Sequence, residues 1–522
     1  MVPLIAALLD PAAYDHPVER VDCLETHSSW ILLTGTLAYK IKKPVNLGFV
    51  DFSTPERRRW FCQEELRLNR RLAPDLYLGL SPIHGPPERA AFHGSGPTLE
   101  LAVRMRQFPQ SALLGAVLDH QGLSEAQLEG LADDLAAFHA AAAVAGPEDS
   151  YGAPELVKAP AMANLEVLQA CGLAPEPDVA ALRHWTEDQF GRLRPSFVER
   201  RSLGRIRECH GDLHLGNMLL EGERLRVFDC LEFSPQLRWI DVISDLAFLA
   251  MDLEHRHRPD LGAVLLNRWL GRCGDYAGLL TWRWYRVYRS LVRAKVCALR
   301  LGQQSLGAQD SALLQQDLER YLQGASRATA TPAPALVITH GVSGSGKSHR
   351  ARQLCRRQDW IQLRSDVERK RLFGRWGQGL APPLLGDPYR PAVSAMLYDR
   401  HLPEQAERIL AAGLSVVVDA TFLLRDQRRR MEDLARKRGV PYLILACVSS
   451  KEEARRRLVE RQAVGDDPSD ADGAVLEAQL RAVEPPDGHE RDRCLEVGAP
   501  ITPQDLIAAV AERLAGPAGA GS

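Results

Sequence analysis

The sequence predicts two domains, an N-terminal α+β domain and a C-terminal α/β domain with a parallel sheet. Three observations carry that prediction. The chain has 522 residues, more than one hydrophobic core ordinarily organises. Residues 324–334 are small, include Pro332 and Pro334, and show no hydrophobic period, so they read as a connector. Beyond them, short apolar runs at 335–339, 360–363, 415–418 and 442–446 alternate with helical stretches, the pattern of strands buried on both faces. The domains are placed at 1–325 and 335–514, with a linker at 326–334 and a Gly/Ala-rich tail at 515–522 that is expected to be disordered.

Composition excludes several classes. Hydrophobic residues make up 45% and charged residues 25%, as in ordinary globular proteins, and the formal net charge of −2 provides no global attraction to nucleic acid or anionic lipid. Ten cysteines are scattered without a C-x-x-C pair or zinc-type spacing, which fits a reducing compartment. The first ten residues lack the basic region of a signal peptide, and the apolar stretch 239–253 is interrupted by Asp241, Asp245 and Asp252. The expectation is a cytoplasmic protein with no membrane partner.

In the first half, apolar runs at 30–33 and 37–41 flank Thr34-Gly35-Thr36 and read as a hairpin. Lys40 and Lys42 stand two apart, hence on one face of its second strand. Ser53-Thr54-Pro55-Glu56 opens a helix with a capping hydroxyl, a first-turn proline and an acid; it carries Glu64 and Glu65 to about Leu72. A strand at 99–105 ends at Arg106-Gln107-Phe108-Pro109, and helical patterns follow, among them 125–143. The chemistry concentrates in His210-Gly211-Asp212-Leu213-His214-Leu215-Gly216-Asn217, followed by Asp229 at the end of a short apolar strand. An Asp, an Asn five residues on and a second strand-end Asp form a phosphotransfer arrangement. One Asp orients or deprotonates the acceptor hydroxyl, while the Asn and the second Asp hold Mg²⁺. Lys40 or Lys42, paired with Glu65 or Glu64, would position the α- and β-phosphates. His214 is read as a packing residue. The aromatic-basic helix 282–300 has spacings of three and four, which mark a core stripe rather than a nucleic-acid surface.

The loop 210–217, Phe228-Asp229 and Asp241-Val242-Ile243-Ser244-Asp245 resemble the aminoglycoside phosphotransferase and choline-kinase group over roughly residues 32–300. That resemblance implies a bilobal protein-kinase-like fold, with Asp212 as catalytic base, Asn217 and Asp229 as metal ligands, and Asp245 bracing the catalytic loop. It places the hinge that would hold adenine through its backbone near Met105 to Gln107. The turn expected over the phosphates, Thr26-His27-Ser28-Ser29, lacks the glycines of that group's relatives among protein kinases.

The second half states its chemistry in Gly341-Val342-Ser343-Gly344-Ser345-Gly346-Lys347-Ser348, which fits G-x-x-x-x-G-K-S/T between a strand and a helix. Glycines let successive N–H groups turn toward an anion, Lys347 reaches the β/γ-phosphates of ATP, and the Ser348 hydroxyl holds Mg²⁺. Asp366 and Arg369 lie one helical turn apart after a strand, as an acceptor-activating acid and an acceptor-gripping cation. Asp419 ends a β-branched strand, the place of a metal-side acid. Arg457 and Arg461 share a helix face before a polar stretch at 465–472 that reads as a lid over the transferring phosphoryl group. Arg428-Arg429-Arg430 and Lys370-Arg371 read as solvated helix faces. Together these features resemble P-loop kinases of the polynucleotide-kinase and zeta-toxin type over roughly 335–514.

The sequence therefore points to two ATP- and Mg²⁺-dependent kinase modules acting on hydroxyls of small molecules. Two rivals come from other classes. In one, the C-terminal half phosphorylates an RNA or DNA end, for which the basic segment 364–375 is the motive and the near-neutral chain the objection. In the other, one module only senses nucleotide and regulates its neighbour.

Overall fold

The structure, a computed structural model, describes residues 2–48, 50–94, 96–120, 122–302, 307–377, 383–464, 467–498 and 501–515. The expected disordered tail lies, from 516 on, outside the described residues. The chain divides into two compact units: Met1–Leu156 with Arg200–Leu249, and Val157–Glu199 with Ala250–Ser522.

The first unit carries an antiparallel sheet of five strands, β1 (Asp22–Glu25), β2 (Ser29–Leu33), β3 (Leu37–Lys42), β4 (Tyr77–His84) and β5 (Thr98–Arg106), in the order β1-β2-β3-β5-β4. The hairpin is as the alternation predicts, with Trp30 facing Ile41 and Ile31 facing Lys40. Strand β4 escaped the sequence reading because Gly79 and Pro82 interrupt its pattern, and its pairing with β5 slips at Tyr77/Gly79 and Ile83/His84. The turn between β1 and β2 closes on a hydroxyl instead of glycine: Thr26 Oγ1 accepts from Ser29 N at 2.9 Å. Helix Pro55–Asn69 starts where predicted, with Thr54 Oγ1 accepting from Arg57 N, and buries Cys62, Glu65 and Leu68. Below the sheet, β6 (Ile206–Glu208) pairs with β9 (Trp239–Asp241), and β7 (Met218–Glu221) with β8 (Arg224–Val227). The two-residue turn between β7 and β8 delivers the chain to Asp229, whose φ of 59° is left-handed, a conformation aspartate tolerates better than most side chains.

The second unit holds a five-stranded parallel sheet of β10 (Leu336–His340), β11 (Trp360–Arg364), β12 (Ser415–Asp419), β13 (Tyr442–Cys447) and β14 (Cys494–Val497), ordered β11-β12-β10-β13-β14. Every residue of β10 and β12 is buried, which is why both read as unbroken apolar runs. The P-loop strand β10 is central, and β12, with Asp419 at its end, lies beside it.

The compact units group 157–199 and everything from Ala250 onward with the P-loop half. Two expectations need correction. The connector is shorter than its composition implies. Helix Ala308–Thr329 runs through 324–329 and buries Ala325 and Ala328, because small residues here serve close packing rather than flexibility. Neither basic run is a solvated face throughout. Arg428 is wholly buried, its Nε and Nη2 gripping Glu490 at 2.9 and 2.8 Å, and Arg371 is buried against Glu368. Arg429 and Arg430 are exposed as expected. The aromatic stripe of helix Trp282–Leu301 is core: Trp282, Trp284 and Tyr285 are buried, and Phe197 packs edge-on to both Trp284 and Tyr285. Among the described residues, no helix is long and apolar enough to cross a membrane.

Candidate functional site

In the first unit a chain of charges runs through the space under β3. Lys40 Nζ lies 2.7 Å from Asp229 Oδ1 and 2.8 Å from Glu65 Oε1. Lys42 Nζ lies 2.8 Å from the other oxygen of Glu65 and 2.5 Å from Glu232 Oε1. The choice between the lysines thus dissolves: Glu65 serves both. Glu64, one position round the helix, pairs instead with Arg67 and Arg238. Burial opposes charge on Lys40 and Lys42, yet Asp229, Glu65 and Glu232 outweigh it and hold both ammonium groups above their ordinary range. Burial pushes Glu65 upward, but the two lysines win and bring it down to about 2. Glu232 goes the other way, raised by burial and by the neighbouring carboxylates. Glu232 was missed by the sequence reading; its only signal is an acid three residues past Asp229 in an apolar context.

The catalytic-type loop is held by its own backbone. Asp245 Oδ2 and Oδ1 accept from His210 N and Gly211 N at 3.0 and 2.9 Å, and His139 Nε2 lies 3.2 Å from Oδ2. Burial raises Asp245, while the His139 hydrogen bond and these amides bring it down to about 2. Gly211 has φ of 84°, and a Cβ there would meet Leu237 O at 2.9 Å. Asn217 Nδ2 donates to Asp212 Oδ2 at 2.9 Å and to Asp212 O at 3.0 Å, which turns the amide oxygen away from Asp212. His214 Nδ1 accepts from Gly216 N at 3.0 Å, so the ring proton sits on Nε2, 3.4 Å from Asp212 Oδ2. His214 is thus a hydrogen-bonded packing residue as expected, its ring 5.5 Å from that of Phe248, and it also faces Asp212. Met105 is buried in a cluster with Ala38, Val103 and Leu219. The amides that follow it are engaged, Arg106 N with Leu76 O and Gln107 N with Thr36 O, both at 2.9 Å.

In the second unit the P-loop wraps as its glycines allow. Gly341, Gly344 and Gly346 have φ of 138°, 82° and 93°. A Cβ would strike Cys447 O at 2.6 Å from Gly341 and Ala454 O at 2.4 Å from Gly344. Lys347, the first residue of helix Lys347–Leu354, is buried and folds back to donate to Val342 O at 2.7 Å. Burial lowers its pKa, against the pull of Asp419. Gln479 Oε1 accepts from Ser343 N at 2.7 Å, and the buried Ser345 hydroxyl has no partner among the described residues.

One cleft of about 480 Å³ gathers Ser343, Gly344, Gly346, Lys347 and Ser348 with Asp366, Arg369, Asp419, Arg457 and Arg461. Gly341, Val342 and Ser345 stand in the same loop without lining the cleft. Asp419 Oδ2 accepts from Gln362 Nε2 at 3.0 Å and lies 3.5 Å from Arg364 Nε. Burial raises Asp366, only partly offset by a hydrogen bond from Ser469 and by Arg364. Arg369 donates to Pro388 O at 2.8 Å and Ser394 Oγ at 3.1 Å, lies over the Tyr389 ring, and keeps a buried Nε with no partner among the described residues. Arg461 donates to Ala471 O at 2.9 Å, and its Nε is likewise unpartnered. Arg457 donates to Gly344 O at 3.3 Å and pairs with Glu453. The described part of the expected lid, 467–472, contributes Asp467, Ser469, Asp470 and Ala471 to the cleft wall. Tyr389, Tyr398, Thr421 and Gln479 also line it; they carry no motif, and only the fold brings them there.

The chain is 30% identical over 469 residues to the Mycobacterium tuberculosis protein Rv2004c, spanning 89% of this chain and 91% of that protein. It belongs to that protein's family. The Mycobacterium bovis protein Mb2027c matches to the same extent. Within this family member, residues 62–288 match the phosphotransferase enzyme family and residues 336–486 match the AAA domain family, here of the P-loop kinase-like kind. The protein is a kinase, with ATP as its phosphoryl donor and a divalent metal as the usual companion. Among solved structures it is similar to a choline/ethanolamine kinase family protein from Mesorhizobium loti, 15% identical with a TM-score of 0.33, covering 62% of this chain and 98% of that one. It is also similar to a gluconokinase from Sinorhizobium meliloti, 21% identical with a TM-score of 0.24, covering 35% of this chain and 93% of that one.

Proposed function

We propose that this kinase carries two phosphoryl-transfer sites, each moving the γ-phosphoryl group of ATP to a hydroxyl of a small molecule. The observation that carries the reading is the cleft of the second unit, where Lys347, Asp419, Asp366, Arg369, Arg457 and Arg461 line one space. Lys347 lies along the β/γ-phosphates, leaving Val342 O for an anion. Asp366, raised by burial toward the range of a useful base, takes the acceptor proton. Arg369 grips the acceptor, and Arg457 and Arg461 stabilise charge on the transferring group. Both sites offer only oxygen donors, Ser348 with Asp419 and the Asn217 amide oxygen with Asp229, a set that fits Mg²⁺. When bound, Mg²⁺ supplies neutralisation of the triphosphate charge.

In the first unit, Asp212 is the base, oriented by Asn217 and His214. Lys40, mostly buried and paired with the more exposed Asp229 at one end of the charge chain, holds the phosphates, while Lys42 lies deeper. Ala38, Met105 and Leu219 form the apolar floor for adenine. Such sites act chiefly by positioning and electrostatics. A nucleic-acid end is the less favoured acceptor, since within 364–375 Arg371 is tied to Glu368 and Lys370 is paired with Asp470 at 2.7 Å.

The test is a metabolite-extract screen with γ-labelled ATP, run on the full chain and on Asp212→Asn and Asp366→Asn. Each substitution is expected to remove one set of labelled products and leave ATP affinity within about threefold. Unchanged product sets in both variants would reject the role assignments.

A further inference from the structure

Helix Ser365–Leu372, which carries Asp366 and Arg369 into the cleft, is fastened from behind by residues that precede the P-loop domain. Its rear face presents Glu368 and Arg371, both buried. Arg371 donates to three carbonyls at the end of helix Pro259–Cys273: Leu270 O at 3.3 Å, Gly271 O at 2.8 Å and Arg272 O at 2.8 Å. Leu270 O also accepts from the capping Gly274 N at 2.8 Å, while the last carbonyls of a helix lack intrahelical partners and favour a cation. Glu368 accepts from Arg371 Nε at 3.2 Å and from Tyr276 OH at 3.1 Å, with His401 Nε2 at 2.9 Å on its other oxygen. Burial pushes Glu368 upward, but Arg371 and His401 outweigh it and keep it ionised.

Two glycines make the approach possible. Gly274, left-handed at φ 69°, would place a Cβ 2.8 Å from Arg371 Nε, and a Cβ on Gly377 would fall 1.9 Å from Arg272 O. The same helix also closes the edge of the sheet. Strand β11 is terminal in the parallel sheet, and Asn267 serves its outer backbone, donating to Trp360 O at 3.0 Å and accepting from Gln362 N at 2.7 Å. An edge strand left open is a pairing hazard, so this amide does the work a further strand would do. Residues 259–276 lie inside the stretch matched by the phosphotransferase enzyme family, yet every one of these bonds is made within the unit that holds the P-loop.

We propose that Arg371, Glu368 and Tyr276 are positioning residues of the P-loop cleft. By tying helix Ser365–Leu372 to the end of helix Pro259–Cys273, they set the distance from Asp366 and Arg369 to the phosphates. Transfer in this cleft therefore depends on a segment outside the P-loop domain. The proposal rests on the reading of Asp366 and Arg369 as the acceptor-side pair. A displacement of about 1 Å in such a pair costs on the order of a hundredfold in rate.

The test uses the full chain in an Asp212→Asn background, with Mg·ATP as the probe and water as acceptor. Tyr276→Phe, Arg371→Met and Arg371→Lys are compared with Asp366→Asn for kcat and KM of ATP hydrolysis and for hydrogen exchange of 365–372. The expected result is a kcat lowered tenfold or more in Arg371→Met and threefold or more in Tyr276→Phe. KM for ATP stays within twofold, amides of 365–372 exchange faster, and Arg371→Lys recovers part of the kcat. An unchanged kcat in Arg371→Met and Tyr276→Phe, or a fall matched by an equal rise in KM, overturns the proposal. Should Arg371→Met fail to fold, Tyr276→Phe decides by the same criteria. Should Asp366→Asn hydrolyse ATP normally, the acceptor-side reading fails on its own, and unchanged exchange at 365–372 would reject the fastening separately.

Discussion

In the first unit, Lys40 and Lys42 meet carboxylates on every side, whereas in the P-loop cleft Lys347, Arg369 and Arg461 are met by neutral carbonyl and hydroxyl oxygens. The first arrangement is satisfied without a ligand. On the proposed reading, a triphosphate would compete with Asp229 for Lys40, and Asp229 would be the group to hold the metal. The second arrangement is held ready: two guanidinium Nε groups are buried without partners among the described residues, and the P-loop lysine is pulled below its ordinary range by burial. A buried cation that lacks a counter-anion gains most when one arrives. One site thus invests its charges in its own stability and the other keeps them for the ligand.

That contrast predicts where damage is felt. Removing the shared acid of the first unit, Glu65→Ala, leaves two buried lysines short of a partner and should cost about 3–5 kcal/mol in denaturant unfolding of that unit. The P-loop variant Lys347→Met should barely move stability. It should instead lower ATP turnover in the second unit by roughly a hundred- to thousandfold, measured with Asp212→Asn to silence the first site. If Lys347→Met destabilises as much as Glu65→Ala, the division of labour between the two sites is wrong.

The P-loop, Asp366, Asp419 and the paired arginines were legible because each is fixed by spacing within a few residues and by the end of an apolar strand. What was not legible depends on which face packs. Lys40 and Lys42 share a strand face, and no local rule says that one carboxylate will reach both. Glu64 and Glu65 are adjacent on a helix and point about 100° apart; burial of Glu65 decides between them, and burial is a tertiary fact. Arg428 reads as surface, yet Glu490, sixty-two residues away, makes it core. The connector was misjudged for the same reason, since Ala325 and Ala328 are small whether a chain is loose or closely packed. Asn267 at the edge of β11 has no sequence signature at all.

Acid titration sharpens the comparison further. A carboxyl held below its unfolded value stabilises the fold above that value and loses the contribution as pH falls through the folded one. Glu65 and Asp245 are both brought down to about 2, so the first unit should lose stability progressively between about pH 4.5 and pH 2. Glu65→Gln should flatten that acid limb in circular-dichroism titrations. Glu232, raised by burial, contributes with the opposite sign: its ionised form is disfavoured in the fold, so Glu232→Gln should cost less than Glu65→Gln at pH 7. An equal cost would mean that Glu232 anchors the lysines as much as Glu65 does.

The smallest effect tests whether the cleft, rather than general basicity, carries the second site. Arg456 and Arg457 are neighbours on helix Lys451–Val464, but only Arg457 lines the cleft; Arg456 is 63% exposed and paired with Glu460 one turn on. Exposed pairs at this spacing contribute about 0.3–0.5 kcal/mol. Arg456→Ala should therefore shift the melting temperature by no more than about a degree or two and leave ATP turnover unchanged. Arg457→Ala should lower turnover about tenfold or more with a similar melting temperature, if its place in the cleft wall serves the proposed transfer. Equal losses in the two variants would show that the helix acts through its summed positive field, and the assignment of Arg457 to a place in the reaction would fall.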